Sequence, residues 1–416
     1  MSSKEKRDQS SDSTSSGTSS TSSGGDTKDT KPSNDVVLTK YNMAAEIVNN
    51  VLKELLAEVK SGADVTQLCK MGDTKVEERT QKAFKNQKDV PKGIAFPTCV
   101  SVNNCVCHFS PLSSEPPMVL KDGDVVKIDL GAHIDGYIAS VAHTVVVGAS
   151  KENKVTGKKA NVILAAYNAM EMVLRMLRPE KGFKNTEVSE HISKLASAYG
   201  TTPIENMLSH EMERLKINGE KQIIQNPSDE QKSKIEKCTF ENFEVYAVDL
   251  LISTGEGKAK TQDSRTTVYK KTDDFVYSLK MKASREFLSK ATQKFGVMPF
   301  SLRLFDDEVK AKMGVLECEK HGLMQPYQVL YEKEGEIVAQ FKTTAIIMPS
   351  GIFKITGFPL DTSLFDCDVK IEDENLLSLL RGQLKPKKKK PTAKKEEEND
   401  KKEAKTTTKA KPTTKA

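Results

Sequence analysis

The chain has 416 residues, 37% hydrophobic and 29% charged, with a formal net charge of +6, a balance ordinary for soluble globular proteins. No stretch approaches the length of a membrane span and no apolar leader opens the chain, so neither membrane insertion nor secretion is expected. Seven scattered cysteines, of which only Cys105 and Cys107 are close, argue against a structural zinc and for reduced thiols in the cytosol or nucleus.

Residues 1–35 are of low complexity. Twelve of the sixteen residues from Gln9 to Gly24 are Ser or Thr, too little apolar surface to offset ordering entropy, so a disordered tail is expected. From Val36 to Val59 the residues Ala45, Val48, Val51, Leu52 and Leu55 fall at helical spacing, with Gly62 as terminator. Val125 to Leu130 alternates as a strand, Gly131 to Gly136 is expected to turn, and Tyr137 to Val147 to return as the second strand of a hairpin. A second helix is predicted from about Lys158 to Leu177, ending before Pro179. A third begins at Asn185, a good N-cap, and runs to Tyr199, closed by Gly200. Phe243–Ser253 and Ile337–Met348 are two further strands. Helices interleaved with antiparallel strands predict one α+β domain over 36–384. Residues 385–416 then hold thirteen Lys against five acidic residues, a charge of +8 that leaves the rest of the chain near −2. The basicity is concentrated in a second expected disordered tail.

Five segments carry a family resemblance. Gly93-Ile-Ala-Phe-Pro-Thr98 with Ser101-Val-Asn-Asn-Cys-Val-Cys-His108 is similar to the substrate-pocket strand of type II methionine aminopeptidases. Lys127-Ile-Asp-Leu-Gly-Ala-His-Ile-Asp-Gly136 resembles their first metal-ligand strand. Met207-Leu-Ser-His210, Glu244-Val-Tyr-Ala-Val-Asp-Leu250 and Ala339-Gln-Phe-Lys-Thr343 resemble the remaining ligand segments. With the helix before them, the motifs span about Met43 to Met348 in the family's order. The resemblance implies the pita-bread fold, a pseudo-symmetric pair of α/β halves around a central site, with a helical insert at about 265–329. Within that superfamily the chain resembles the proliferation-associated proteins, non-catalytic relatives with a Lys-rich C-terminus linked to RNA, ribosomes and growth control. FPTCVSVNNCVCHFSPL, EVYAVDLLISTGEGKAK, VLYEKEGEIVAQFK and Ile223-Ile-Gln-Asn-Pro227 are typical of them. The Ser/Thr-rich extension departs from the pattern.

In active family members, the resemblance implies, two Asp, a His and two Glu hold two divalent metals that activate water and polarise a peptide carbonyl. The matching positions here are Asp129, Ser140, His210, Asp249 and Lys342. Ser140 removes a charge, and Asp249 shortens an acid by a methylene. Lys342 replaces an anion by an ammonium, taking the cluster from −4 to −1. At an effective dielectric near 20, a unit cation about 4 Å from a divalent ion repels it by about 8 kcal/mol. A vestigial site without metal or cofactor is expected, with Lys342 pairing Asp129 and Asp249 where a metal would sit. His108 matches a family pocket histidine. Taken without the motifs, Asp129 is an ordinary strand residue and His210 a satisfied core histidine.

Two basic features are candidates for nucleic-acid contact. The tail lysines Lys385, Lys387, Lys388, Lys389, Lys390, Lys394 and Lys395 form a cation strip that neutralises phosphates and reads no bases. Such a strip also suits a nuclear or nucleolar localisation signal, or a solubilising tail. In the insert, Lys270, Lys271, Lys280, Lys282, Arg285, Lys290 and Lys294 face Asp273, Asp274 and Glu286, a net +4. That suits a structured RNA such as ribosomal RNA, recognised by backbone and shape, or simply a solvated helix face. Gly255-Glu-Gly-Lys258 lacks the full phosphate-loop pattern and is expected to be a turn. Leu376-Leu-Ser-Leu-Leu380 places Leu376, Leu379 and Leu380 in an LxxLL pattern that either docks a partner or packs a terminal helix. The combined expectation is a monomeric, non-enzymatic RNA- and ribosome-associated regulator of growth and translation. It would have protein partners and would be present in cytoplasm, nucleus and nucleolus. The rivals are a transcriptional co-regulator acting through protein contacts and a working methionine aminopeptidase.

Overall fold

The computed structural model describes residues 30–87, 89–272 and 276–385. Most of the Ser/Thr-rich tail, Asp273 and Asp274, and the tail lysines beyond Lys385 lie outside the described residues. In chain order, α1 (Asp35–Glu58) and α2 (Val65–Lys82) lead into β1 (Lys92–Val102), β2 (Cys105–Cys107), β3 (Val125–Ile134) and β4 (Tyr137–Val146). There follow α3 (Gly157–Met176), α4 (Asn185–Ala198), β5 (Thr202–Pro203), β6 (Leu208–Glu211), β7 (Gln222–Ile224), α5 (Asp229–Lys234) and β8 (Val245–Ser253). Next come β9 (Lys260–Thr261), β10 (Val268–Lys271), α6 (Lys282–Phe295), β11 (Phe300–Ser301), α7 (Glu308–Lys320), β12 (Met324–Tyr327) and β13 (Leu330–Tyr331). β14 (Val338–Met348), β15 (Gly351–Lys354) and α8 (Glu374–Arg381) complete the order.

The main sheet runs β1-β3-β4-β14-β8-β6-β7, with β15 on β14 and β5 on β8. β14 is the seam between two halves, flanked by β4 from the first and β8 from the second. Side chains alternate across each strand. On β3, Val126, Ile128, Leu130 and Ala132 pack under α1 and α2, where Val48, Val51, Leu52 and Leu55 are wholly buried. On β8, Tyr246, Val248, Leu250 and Ile252 do the same under α3 and α4, with Phe341 and Ile347 of β14. Burying each large aliphatic of these layers stabilises the fold by about 1.5–3 kcal/mol. The opposite face of the sheet therefore carries Asp129, Asp249 and Lys342.

Several expectations are corrected. The hairpin turn is not Gly131 to Gly136: β3 continues through Gly131 to Ile134, and only Asp135 and Gly136 turn, at φ 54 and 78. Two successive left-handed residues make the tight hairpin that an Asp-Gly pair favours. Asp135 also accepts from Lys40 of α1 at 2.6 Å and from Arg214, beyond β6, at 2.7 Å. Asn185 is not a cap. It is buried in the first turn of α4, and its amide nitrogen donates to the Gln222 and Glu236 carbonyls, both at 2.9 Å. α2 was not anticipated. Asp64 caps it by accepting from Thr66 and Gln67, and its buried side bears Asp73 and Thr80 among the apolar residues. The insert is not simply helical. A three-stranded sheet, β11-β10-β12, carries α6 and α7 around its own core of Tyr269, Phe287, Phe300, Val315 and Met324.

Arg303, between β11 and α7, ties the insert to the body. Its guanidinium pairs with Asp73 of α2, both side chains 3% exposed, and donates to Ser110 Oγ at 2.9 Å and the Pro111 carbonyl at 3.0 Å. The other Asp73 oxygen accepts from the Thr98 amide at 2.7 Å. The LxxLL segment forms α8, capped by Asp373. Its apolar side is used in folding: Leu376 is buried in the same core as α3, and Leu379 and Leu380 pack against that core. The docking assignment is corrected accordingly, because a partner would have to displace α8.

His143 on β4 is buried edge-on against Phe341, ring centroids 5.1 Å apart. Burial, with Lys354 adding to it, pulls its pKa down to about 4. The unfolded chain, with an ordinary imidazole near 6.5, binds the proton first, so stability falls as pH drops from about 6.5 to about 4, by ~3 kcal/mol at most from this residue. Urea unfolding at pH 7 and pH 5 should show a smaller loss for His143→Phe than for the native chain.

Candidate functional site

One row of residues crosses four strands at the centre of the sheet. Asp129 of β3 pairs with Ala142 of β4, Ala142 with Lys342 of β14, and Lys342 with Asp249 of β8. Side chains in such a row share a face, and only a methyl group stands between Asp129 and Lys342. The ammonium reaches both carboxylates, 2.6 Å from Asp129 Oδ2 and 3.0 Å from Asp249 Oδ2. It also lies 5.3 Å from the centroid of the Phe96 ring, within cation–π range.

Gln340, two residues before Lys342 on the same face, donates Nε2 to both Asp249 oxygens at 2.9 and 3.2 Å. The motif Ala339–Thr343 contains it, and the two-residue period of a strand is enough to place it beside Lys342. Burial works against the Lys342 charge, yet Asp129 and Asp249 outweigh it and lift its pKa above the usual lysine range. Burial pushes the Asp249 carboxyl up to about 6, with Lys342 pulling down and Asp129 pushing up. The Lys342 ammonium thus stays charged at neutral pH between the two acids.

Ser140, opposite Gly131, is buried. Its amide donates to Thr344 Oγ1 at 2.9 Å, and its carbonyl accepts from Thr344 and Thr356 at 3.0 and 2.7 Å. His210 pairs with Ala247, two residues from Asp249, so it borders the row, and burial holds its pKa down at about 4. His108 sits at φ 65, its Nδ1 3.0 Å from the Gln328 carbonyl. Its ring lies 5.9 Å from Phe96 and 5.3 Å from Tyr327, and burial lowers its pKa. All six matched positions therefore gather around one centre.

A two-metal centre does not fit these residues. Of the four carboxylate oxygens of Asp129 and Asp249, three are taken by Lys342 and Gln340, and Asp129 Oδ1 is buried without a hydrogen-bond partner. Among the described residues, no group of three or more His, Cys, Asp or Glu is placed to hold a metal ion.

The basic candidates are less unified. Lys282, Arg285, Lys290 and Lys294 are exposed on α6, and Lys280 is exposed just before it. Arg285 is partly spent on the Leu279 and Lys280 carbonyls, at 2.9 and 2.8 Å, and Lys294 on the Leu304 carbonyl at 2.7 Å. Lys270 and Lys271 are half-buried on β10, and the Lys270 charge adds slightly to burial in lowering the His210 pKa. Lys385, the one tail lysine described, stands 4.3 Å over the Phe353 ring. Gly255–Lys258 is a turn whose anion is internal, since Gly257 N donates at 2.8 Å to the buried Glu332 carboxylate.

Comparison with known proteins defines the class. The profile of metallopeptidase family M24 matches residues 39–263, and the chain belongs to that family. The match sharpens to the proliferation-associated proteins within it. The chain is 43% identical over 357 residues to Proliferation-associated protein A of Dictyostelium discoideum, covering 86% of this chain and 91% of that one. It is 42% identical over 361 residues to the Curved DNA-binding protein of Schizosaccharomyces pombe, covering 86% and 93%. Among solved structures, a thermophilic Arx1 superposes with a TM-score of 0.78 at 34% identity, over 85% of this chain and 99% of that one.

Proposed function

We propose that this chain is a non-enzymatic, RNA-binding and ribosome-associated regulator of growth and translation, built on an aminopeptidase fold that no longer takes metal. One observation carries the loss of catalysis: the Lys342 ammonium held between Asp129 and Asp249. A cation built into the chain neutralises the acids that two divalent ions would require. RNA contact is supported by the exposed α6 side chains and the +8 tail, which suit phosphate neutralisation, and by the family resemblance. The S. pombe relative is itself named as a DNA-binding protein. Nuclear, nucleolar and cytoplasmic residence, and a monomeric state, belong to the same proposal.

The test has two arms. Purified full-length chain, equilibrated with cobalt or manganese and desalted, should retain no stoichiometric metal and release no Met from a Met-initiated peptide. Bound metal with Met release would refute the inactive centre. In the second arm, removing residues 385–416 should weaken ribosomal-RNA binding by at least about tenfold at ~0.15 M salt and flatten its salt dependence. Unchanged binding would remove the tail from the account.

A further inference from the structure

Helix α7 is apolar on two opposite faces. Ala311, Gly314, Val315 and Cys318 are buried against the insert core, Gly314 so closely that a Cβ there would meet the Phe287 Cβ at 2.5 Å. Outward, Val309, Met313 and Leu316 are 57%, 52% and 60% exposed. Their spacing of i, i+4 and i+7 makes one continuous ridge along the helix. Met281, also exposed, adjoins it through the bond from its amide to Glu317 at 3.1 Å. Single exposed hydrophobics are common, whereas a contiguous stripe marks an interaction surface.

The charges beside the stripe are unbalanced in their availability. Glu308 is engaged by the Ser113 amide and hydroxyl at 3.2 and 2.8 Å, and Glu317 by the Lys280 and Met281 amides at 2.8 and 3.1 Å. Glu319 accepts from the Tyr269 hydroxyl at 3.1 Å. Lys312, by contrast, has only the Ser114 hydroxyl at 3.1 Å, and neither Lys312 nor exposed Lys320 is in an ion pair among the described residues. The face is an apolar ridge with free cations alongside.

We propose that the outer face of α7 docks an amphipathic helix of another protein, apolar along one stripe and acidic beside it. A ridge of this spacing seats against a helix groove, and carboxylates on the incoming flanks would meet Lys312 and Lys320. RNA gains nothing from Val309, Met313 and Leu316. A second copy would bring like charges together across a two-fold axis. This surface is separate from the centre, and its α7 residues lie outside the α6 basic cluster, which it meets at Met281.

The experiment places the photo-crosslinker p-benzoylphenylalanine at Met313 in the full chain, irradiates cells, and sequences the crosslinked peptides. The expected products are segments of other proteins with helical apolar spacing and net negative charge. Their yield should fall about tenfold or more when Leu316→Glu is also present, as loss of an interface anchor does. Leu316→Glu is exposed and should leave the thermal midpoint and ribosomal-RNA affinity unchanged, which separates this proposal from the RNA reading. Crosslinks to RNA, to a second copy or to basic segments, no crosslinks, or a yield indifferent to Leu316→Glu would overturn it.

Discussion

Lys342→Ala should be among the most damaging single changes in the protein, costing about 3–5 kcal/mol at pH 7 to 8, because it strands two buried carboxylates without their counter-ion. The pH dependence identifies the cause. Lys342 has a folded pKa above its unfolded one, so its contribution is complete throughout the neutral range and is lost only in strong alkali. Asp249 is raised to about 6 against an unfolded value near 3.9, so the native state holds that proton longer and this residue's contribution falls as pH rises from about 4 to 6. Removing Lys342 pushes Asp249 higher still. Acidification should therefore recover part of the variant's deficit relative to the native chain. Urea midpoints for both chains at pH 8 and pH 5 measure this, and a deficit equal at the two values would contradict the charge explanation.

Arg303→Met is expected to cost about 3–5 kcal/mol as well, through a different route. It leaves Asp73 buried with its charge uncompensated and removes the bonds to Ser110 and Pro111. Hydrogen exchange should quicken first in α6 and α7, because the insert keeps its own core while losing this attachment to the body. The double variant Asp73→Asn with Arg303→Met should recover part of the loss, since the stranded carboxylate is gone. An additive double variant would mean that the two residues act separately.

Which of these features could be seen in the sequence follows from range. α1 was legible because its apolar positions repeat at helical spacing, and β3, β8 and β14 because short apolar runs bounded by turns mark buried strands. The central row was legible only through the family motifs, since nothing local says that residues 129, 249 and 342 meet. Gln340 was one strand period from Lys342 and could have been placed by geometry alone. α2 escaped because its buried side includes Asp73, Gly72 and Thr80, polar or small residues that blur the periodic signal. Asp73 is buried for the sake of Arg303, 230 positions away. Asn185 carries the side chain of a cap, yet the fold uses it to tie the start of β7 to the segment after α5. The leucines of α8 spell a docking pattern and a packing pattern equally well, and only the presence of α3 beneath them decides.

Asp135 has a consequence for the whole molecule. At one hairpin tip it binds Lys40, from the opening helix of the first half, and Arg214, from the second half. Prying the halves apart at that rim leaves Lys40 with Asp135 and means breaking both Arg214 bonds at once, to the Asp135 carboxylate and to its carbonyl, so the rim is latched at that corner.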